Sequence, residues 1–286
     1  MLKRKNLPVV LLILGAGLFL AFRTFGLRGS DNGNPPTKYE KILHNVGEML
    51  AEIHYSPKKI DDNFSKDIFK KFLAEKIDDQ KNILLQSDIQ HLKRYETRID
   101  DEIQGGNVQF VPAVSEIYKK RVPELEQLFT DILAKPFDFN KDESANLNPD
   151  QLDYPKTEND RKEAWRKRLK YMTLERYADL LERREKSKGT EGFVVKTDEE
   201  LEKEAREQVQ KIMRRNYDRM KVKLTDEDDR FNEFVKTITE SMDPHTTFFP
   251  PIDKRYFDEE MSGRFFGIGA SLREGDGKIK IGTVGP

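Results

Sequence analysis

Histidine and aspartate side chains are the first candidates for chemistry in this sequence. The chain has four histidines, and no two of them lie at a spacing that ligates a metal. His44, His54 and His91 are expected to be surface or helix-face residues. His245 lies close to Asp243 in a proline-containing stretch, where the simplest expectation is that Asp243 caps a helix end or a turn. The sequence therefore predicts no metal site.

Covalent and redox chemistry lack most of the residues that they need. The chain contains no Cys, which excludes a disulfide framework, a Cys-ligated zinc, an iron–sulfur cluster and a thiol nucleophile. It has no Walker phosphate loop and no Gly-x-Ser-x-Gly nucleophile elbow. Adjacent carboxylates such as Asp78-Asp79 and Asp100-Asp101 diverge by about 100° on a helix, so they are not expected to share one site. No cofactor is predicted.

Net charge excludes a further class of protein. The 286 residues contain 51 Lys and Arg against 52 Asp and Glu, which gives a formal net charge of -1. Phosphate binding draws on a basic excess that this chain lacks, so no nucleic-acid partner is predicted. Runs of mixed sign such as 182–186 are expected to be solvated helix surface.

Helices are predicted for most of residues 37–242, and they would position the candidate residues. Apolar residues recur there at spacings of three and four, which is typical of one helix face. Thr37 begins a capping box, and Thr197 opens another helical stretch. Residues 137–155 are rich in Asp, Asn and Pro and predict a long surface connection.

Glycine and proline bear on the limits of two of the predicted helices. The apolar residues from Ile89 to Ile103 predict one helix that is closed by Gly105-Gly106. Another begins at Phe110, and Pro123 within it is expected to kink or split it.

The last forty residues change character and predict strands. Residues 266–272 and 278–284 are expected to form two strands, joined by a hairpin turn at 275–277. Gly267-Ile268-Gly269 resembles a dinucleotide loop only superficially, because that loop needs a helix after it and a strand-like segment follows here. A lone hairpin is marginal in water, so the chain is expected to end inside a β-rich domain.

The first residues predict export to the cell envelope. Three basic residues at positions 3–5 precede a charge-free apolar run from Leu7 to Phe22. Residues 1–28 are therefore predicted to be a signal peptide or a membrane anchor, with membrane contact through residues 7–22. Residues 29–36 favour turns and are predicted to form a linker.

A resemblance to a known family rests on several segments in order. The stretch from Asp243 to Pro250 (Asp-Pro-His-Thr-Thr-Phe-Phe-Pro), the Glu-Met-Ser stretch at 260–262 and Gly-Ile-Gly-Ala at 267–270 resemble the tail-specific, or C-terminal processing, proteases. These are periplasmic serine peptidases with a Ser/Lys dyad. The resemblance runs in order from about residue 38 to residue 286.

The resemblance implies a fold and a domain arrangement. It implies a mainly α protein with a multi-helix N-terminal domain at 37–242 and a connecting segment at 243–263. Residues 264–286 would then form the first β-hairpin of an incomplete PDZ domain. Gly267, Ile268 and Gly269 would belong to the entry of that PDZ domain, where they are the candidate peptide-binding residues.

The resemblance also implies a function. The parent would be a serine-type endopeptidase that captures unstructured protein C-termini and scaffolds them with its helical domain. No Ser here matches the catalytic context, since Ser262 belongs to the Glu-Met-Ser stretch and Ser271 to the first strand. The catalytic Ser and Lys are expected beyond Pro286, and this chain alone is expected to be inactive. The alternative is a non-catalytic helical adaptor of the envelope.

Overall fold

Every regular element in residues 37–189 and 194–262 is a helix. The computed structural model describes these residues together with 270–275 and 278–284. The helices are α1 (Lys38–Glu48), α2 (Asp62–Lys71), α3 (Gln86–Leu92), α4 (Ile99–Ile103), α5 (Phe110–Leu133), α6 (Glu158–Ser187), α7 (Asp198–Thr225), α8 (Glu227–Met242) and α9 (Pro251–Ser262). The predicted mainly helical character is confirmed.

Wider π-helical turns continue the first two helices. α1 runs on through Met49–Ile53 and α2 through Phe72–Ile77. The predicted capping box is present at the start of α1, where Thr37 accepts from the backbone N–H of Glu40. α1 and its continuation end before Pro57, as the sequence predicts.

The segment from Ile89 to Ile103 is not one helix, contrary to the prediction. α3 ends at Leu92, a 3₁₀ turn follows, and α4 begins only at Ile99. The Ser65 hydroxyl on α2 donates to Asp100 Oδ1 at 2.5 Å and accepts from the Asp100 N–H at 2.8 Å. This pair holds α4 against α2, so the chain must turn before it.

The end of α4 follows the predicted glycine signal. Gly105 adopts a positive φ of 105°, which glycine allows without strain. The N–H of Gly106 then donates to the carbonyl of Asp101 at 2.8 Å, and that of Gly105 to Glu102 at 3.3 Å. These are the two bonds of a Schellman motif.

Pro123 neither splits nor ends the long helix in which it lies. α5 is continuous over 24 residues with Pro123 inside it. Val122, Leu125 and Phe129 are buried on both sides of the proline. Packing of this apolar stripe against the core offsets the hydrogen bond that proline removes, which costs about 3 kcal/mol in an unsupported helix.

The core lies between the three longest helices and continues into an aromatic cluster. Buried side chains of α5, α6 and α7 meet around Phe129, Trp165 and Val209. Nearer the start of α5, Phe110 packs against Phe72 and Phe234 with ring centroids 5.8 and 5.7 Å apart. Such aromatic contacts contribute beyond their buried area.

A buried ionic network fastens α6 to the rest of the helical unit. Arg121 on α5 donates to both oxygens of Asp88 on α3, at 2.7 and 3.0 Å, and to Glu158 of α6 at 2.5 Å. Arg161 of α6 donates in turn to Glu124 at 2.6 Å. The bidentate bond to Asp88 is the main cause that raises the pKa of Arg121. The network therefore positions three helices at once.

The first helix packs against the last helix of the same unit. Lys38 Nζ lies 2.6 Å from Asp228 Oδ2 on α8, and the Tyr39 hydroxyl donates to the same carboxylate. The rings of Tyr39 and Phe231 lie 4.5 Å apart. α1 thus depends on α8 for its tertiary contacts at this end.

The chain divides into two compact units after Thr246. The second unit contains α9 and two strands, β1 (Ala270–Gly275) and β2 (Lys278–Val284), which pair antiparallel. β2 has its predicted limits, whereas β1 runs on to Gly275. α9 was not predicted, because its sequence was interpreted as part of a connecting segment. The assignment of these strands to a PDZ domain stays a prediction.

Within the described residues, no helix combines the length and the apolar character that crossing a bilayer requires. The predicted leader at 1–28 and the linker at 29–36 lie outside the described residues.

Candidate functional site

The Asp-Pro-His-Thr turn forms the end of the helical unit. The backbone N–H of His245 donates to Asp243 Oδ1 at 2.8 Å, and that of Thr246 to the Asp243 carbonyl at 3.0 Å. Asp243 therefore organises the turn with both its side chain and its backbone, which confirms its predicted local role. The His245 side chain is exposed.

The segment that follows α1 holds this turn in place. The Tyr55 hydroxyl donates to Asp243 Oδ2 at 2.7 Å. His54 Nε2 lies 2.9 Å from the hydroxyl of Thr246, and Lys58 Nζ donates to the carbonyl of Ser241 at 2.6 Å. These three contacts join residues 241–246 to residues 54–58. We call these two segments together the exit clamp.

The electrostatics of the exit clamp follow from these bonds. The hydroxyl of Tyr55 is the main cause that lowers the pKa of Asp243, and the N–H of His245 lowers it further. The same hydrogen bond raises the pKa of Tyr55. His54 Nδ1 accepts from the N–H of Ser56 at 3.1 Å. An accepting Nδ1 carries no proton, so the His54 ring donates through Nε2 to Thr246.

An open groove lies beside the exit clamp and has a volume of about 570 Å³. We call it the α1 groove. It is lined by His44, Gly47, Glu48, Ala51, Glu52, Pro57, Lys58, Lys59, Ile60, Ile103 and Gln104. The lining therefore has the carboxylates of Glu48 and Glu52 on α1 and its continuation, and the ammonium groups of Lys58 and Lys59 on the segment 57–60. The floor of the groove is apolar. A groove of this size has room for several side chains of a bound peptide.

Gly47 sets how closely the floor of the α1 groove approaches α4. A Cβ at this position would lie 2.8 Å from the carbonyl oxygen of Ile103 and 2.5 Å from its Cγ2. Only glycine allows this approach of α1 to α4 without a shift of backbone. No local pattern predicts this requirement, because the close contact joins residues far apart in the chain.

Two carboxylates are buried, which the sequence did not predict. Asp78 accepts from the backbone N–H groups of residues 82, 83 and 84, and burial raises its pKa to about 6. Glu102 Oε1 accepts from Gln109 and Phe110 at the start of α5, and burial raises its pKa to about 7. Asp79 is exposed, so the adjacent pair does not share a site, as predicted. Both buried groups cap backbone and have a structural role.

Metal-ligating side chains and Ser262 are the remaining candidates for chemistry. No group of three or more His, Asp or Glu side chains there could hold a metal ion. Ser262 ends α9, where its hydroxyl donates to the carbonyl of Glu259 at 2.9 Å. The candidate peptide-binding residues Gly267, Ile268 and Gly269 lie outside the described residues. Binding and orientation are what the exit clamp and the α1 groove offer.

The comparisons with known proteins agree with this geometry. The family model described as "Tail specific protease N-terminal domain" matches residues 46–252. The "Tail-specific protease" of Haemophilus influenzae (strain ATCC 51907 / DSM 11121 / KW20 / Rd) is 25% identical over 263 residues, which cover 91% of this chain and 35% of that protein. The chain thus spans about a third of the length of this relative. The family match begins within α1, includes the exit clamp and ends in α9.

Proposed function

Because the chain belongs to the tail-specific protease family, we propose that it is the scaffold portion of a serine endopeptidase that acts on protein C-terminal tails. The observation that carries this proposal is the family match over residues 46–252, which includes the helical unit from within α1 to the exit clamp. In this role the helical unit contributes walls of the substrate cavity, and the α1 groove offers one surface of suitable size.

The chemistry of the complete enzyme follows from a Ser/Lys pair. The serine hydroxyl attacks the peptide carbonyl as its proton passes to a neutral lysine amine, and the amine of the leaving peptide then takes that proton. Water hydrolyses the acyl ester that remains. The lysine must be desolvated, because only its neutral form accepts a proton. We place both residues in the part of the enzyme beyond Pro286.

Substrate capture is assigned to the second unit. Residues 264–286 would open a PDZ domain, with Gly267, Ile268 and Gly269 at its entry. The antiparallel pairing of β1 and β2 supports this proposal, since such domains bind an extended peptide at a sheet edge.

The test compares this chain with the product of the complete reading frame. Both are incubated with an unfolded protein that ends in apolar residues, and cleavage is followed by mass spectrometry. The complete product should cleave, and replacement of its catalytic serine by alanine should abolish cleavage, whereas the 286-residue chain should not cleave. A complete product without activity would favour the adaptor function instead. Turnover by this chain that is lost on mutating one of its own serines would refute the placement of the active site.

The envelope location is a separate proposal that rests on the sequence of residues 1–28. A basic start before a charge-free run orients the N-terminus inward and places the following residues outside the cytoplasm. Alkaline phosphatase fused after Pro36 should therefore be active. An inactive phosphatase fusion together with an active cytoplasmic reporter at the same position would reverse this topology.

A further inference from the structure

We propose that a preformed pocket on the side of α6 binds the C-terminal carboxylate of an apolar peptide, and that Arg168 is its anchor. The proposal rests on the proposed function, because it names a second place where the helical unit contacts a substrate tail. We call this site the Arg168 pocket. Its volume is about 430 Å³, within the range of pockets that hold small ligands.

Three parts of the helical unit form the walls of the Arg168 pocket. They are the turn at residues 80–82, the long connection before α6, and one side of α6 itself. The residues that line it are Gln80, Lys81, Asn82, Ser144, Ala145, Asn146, Leu147, Leu152, Asp153, Pro155, Glu163, Ala164, Lys167 and Arg168.

Hydrogen bonds to backbone hold these walls together in the absence of a ligand. Trp165 Nε1 donates to the carbonyl of Asn82 at 2.8 Å, and the N–H of Gln86 donates to the carbonyl of Pro155 at 2.8 Å. The Lys81 ammonium donates to the carbonyl of Leu152. The turn at 80–82 is therefore fastened to both other walls, so a ligand need not order the pocket on binding.

Arg168 is placed as an anion anchor would be. Its guanidinium is half-buried, and among the described residues its hydrogen bond goes to the neutral side-chain carbonyl of Gln80. Burial lowers the pKa of Arg168, and the nearby charge of Asp79 only partly opposes this effect. A guanidinium has five N–H donors in a planar fork that matches a carboxylate. A bound carboxylate would supply a negative charge that stabilises the half-buried guanidinium.

The remaining charges of the pocket favour a single carboxylate over a more highly charged anion. Lys167 and Lys81 add two further positive charges to the lining. Glu163 is already engaged by Arg166, at 2.7 and 2.9 Å. Asp153 contributes a negative charge from the connection, which would repel a dianion more strongly than a monoanion.

Apolar side chains complete the chemistry of a peptide tail. Leu147, Leu152 and Pro155 face the pocket from the connection, and Ala164 faces it from α6. A cation at one end and an apolar wall beside it match a free carboxylate that follows apolar side chains. Apolar burial and one charge-assisted contact would then act on the same ligand.

The experiment measures binding of two peptides that differ only at their C-terminus. A fluorescein-labelled peptide ending in Leu-Ala-Ala is prepared as the free acid and as the amide, and its anisotropy is followed with the full chain. We expect the acid to bind about tenfold or more tightly than the amide, since one charged hydrogen-bond partner is lost. Arg168→Gln should remove this difference, and Arg168→Lys should retain part of it.

A matched control lies on the same helix. Arg183 is exposed, so Arg183→Gln removes the same charge from α6 and should leave binding of the acid unchanged. Fluorescence of the single Trp, next to the pocket, checks that each variant is folded. Because the second unit is also proposed to capture peptide tails, the loss of the acid preference in Arg168→Gln is the result that assigns it to this pocket.

Three results would overturn the proposal. They are equal binding of acid and amide, an effect of Arg168→Gln no larger than that of Arg183→Gln, and displacement of the peptide by acetate or inorganic phosphate at equal concentration, which would indicate a simple anion site. The outcome is separable from that of the proposed function. Suppose that the complete enzyme with Arg168→Gln cleaves normally, and that the acid and amide peptides bind equally well to the unaltered chain. These results would refute the Arg168 pocket and leave the protease assignment intact.

Discussion

Glu102 makes the stability of the helical unit depend on pH, and the variant Glu102→Gln tests how strongly. The carboxyl is only 4% exposed, and burial raises its pKa from 4.5 to about 7. Between these two values the folded chain binds a proton that the unfolded chain has lost. The contribution of Glu102 to the free energy of unfolding is therefore greatest below pH 4.5 and is lost as the pH rises through 7.

The magnitude follows from the shift itself. Each pKa unit corresponds to about 1.4 kcal/mol, so Glu102 lowers the free energy of unfolding by about 2–3 kcal/mol between pH 5 and pH 8. Gln keeps the oxygen that accepts from Gln109 and Phe110 but has no proton to lose. Its buried amide nitrogen adds a cost of about 1–3 kcal/mol that is the same at both pH values.

The assay is urea unfolding at pH 5 and pH 8, followed by the fluorescence of Trp165, the single Trp of the chain. Relative to the unaltered chain, the free energy of unfolding of Glu102→Gln should gain about 2–3 kcal/mol on going from pH 5 to pH 8. The pH dependence of Asp78 is common to both proteins and cancels. Glu207 is exposed, so Glu207→Gln should show a difference below about 0.5 kcal/mol. A gain for Glu102→Gln no larger than this control would refute the buried-proton reasoning.

Three further changes test the packing and the exit clamp. Gly47→Ala should destabilise the unit by about 1–2 kcal/mol in urea unfolding, because overpacking against the α4 carbonyl exceeds the gain in helix propensity; an unchanged midpoint would contradict the close approach. Arg121→Leu should cost about 3–5 kcal/mol in the same assay, since it leaves a carboxylate on α3 without its buried partner; a cost near zero would mean that the network does not position α6. Tyr55→Phe should raise the pKa of Asp243 toward its ordinary value in a carbon-13 NMR titration, whereas Tyr171→Phe, which removes another exposed hydroxyl, should leave it in place.

Local patterns in the sequence were enough to predict the helical class and several helix ends. The capping residues at Thr37 and Thr197 use side chains within three residues of the groups that they cap, so sequence spacing contains the whole interaction. The same holds for the glycine stop at Gly105. α9 was missed because residues 243–263 were interpreted as a connecting segment. Pro251 is instead the first residue of the helix, where a missing N–H costs nothing.

Tertiary contacts explain what spacing could not predict. Tyr55 and Asp243 are 188 residues apart, and no local pattern links them. The turn between α3 and α4 depends on Ser65 and Asp100, which are also distant in sequence. The resemblance to a protease family came from the order of several motifs, and it identified the Asp-Pro-His-Thr turn without showing that Tyr55 and its neighbours hold it.

The packing of α1 on α8 has a consequence for the order in which the helical unit folds. The partners of Lys38 and Tyr39 are about 190 residues further along the chain. A ribosome that has just completed α4 therefore holds the α1 face that packs at Gly47, but the partner of the N-terminal end of α1 has not yet been made. The middle helices α5, α6 and α7 have their partners close in sequence and can pack first. Closure of the unit must wait until residues 227–246 have emerged, which makes the N-terminal end of α1 among the last parts to dock.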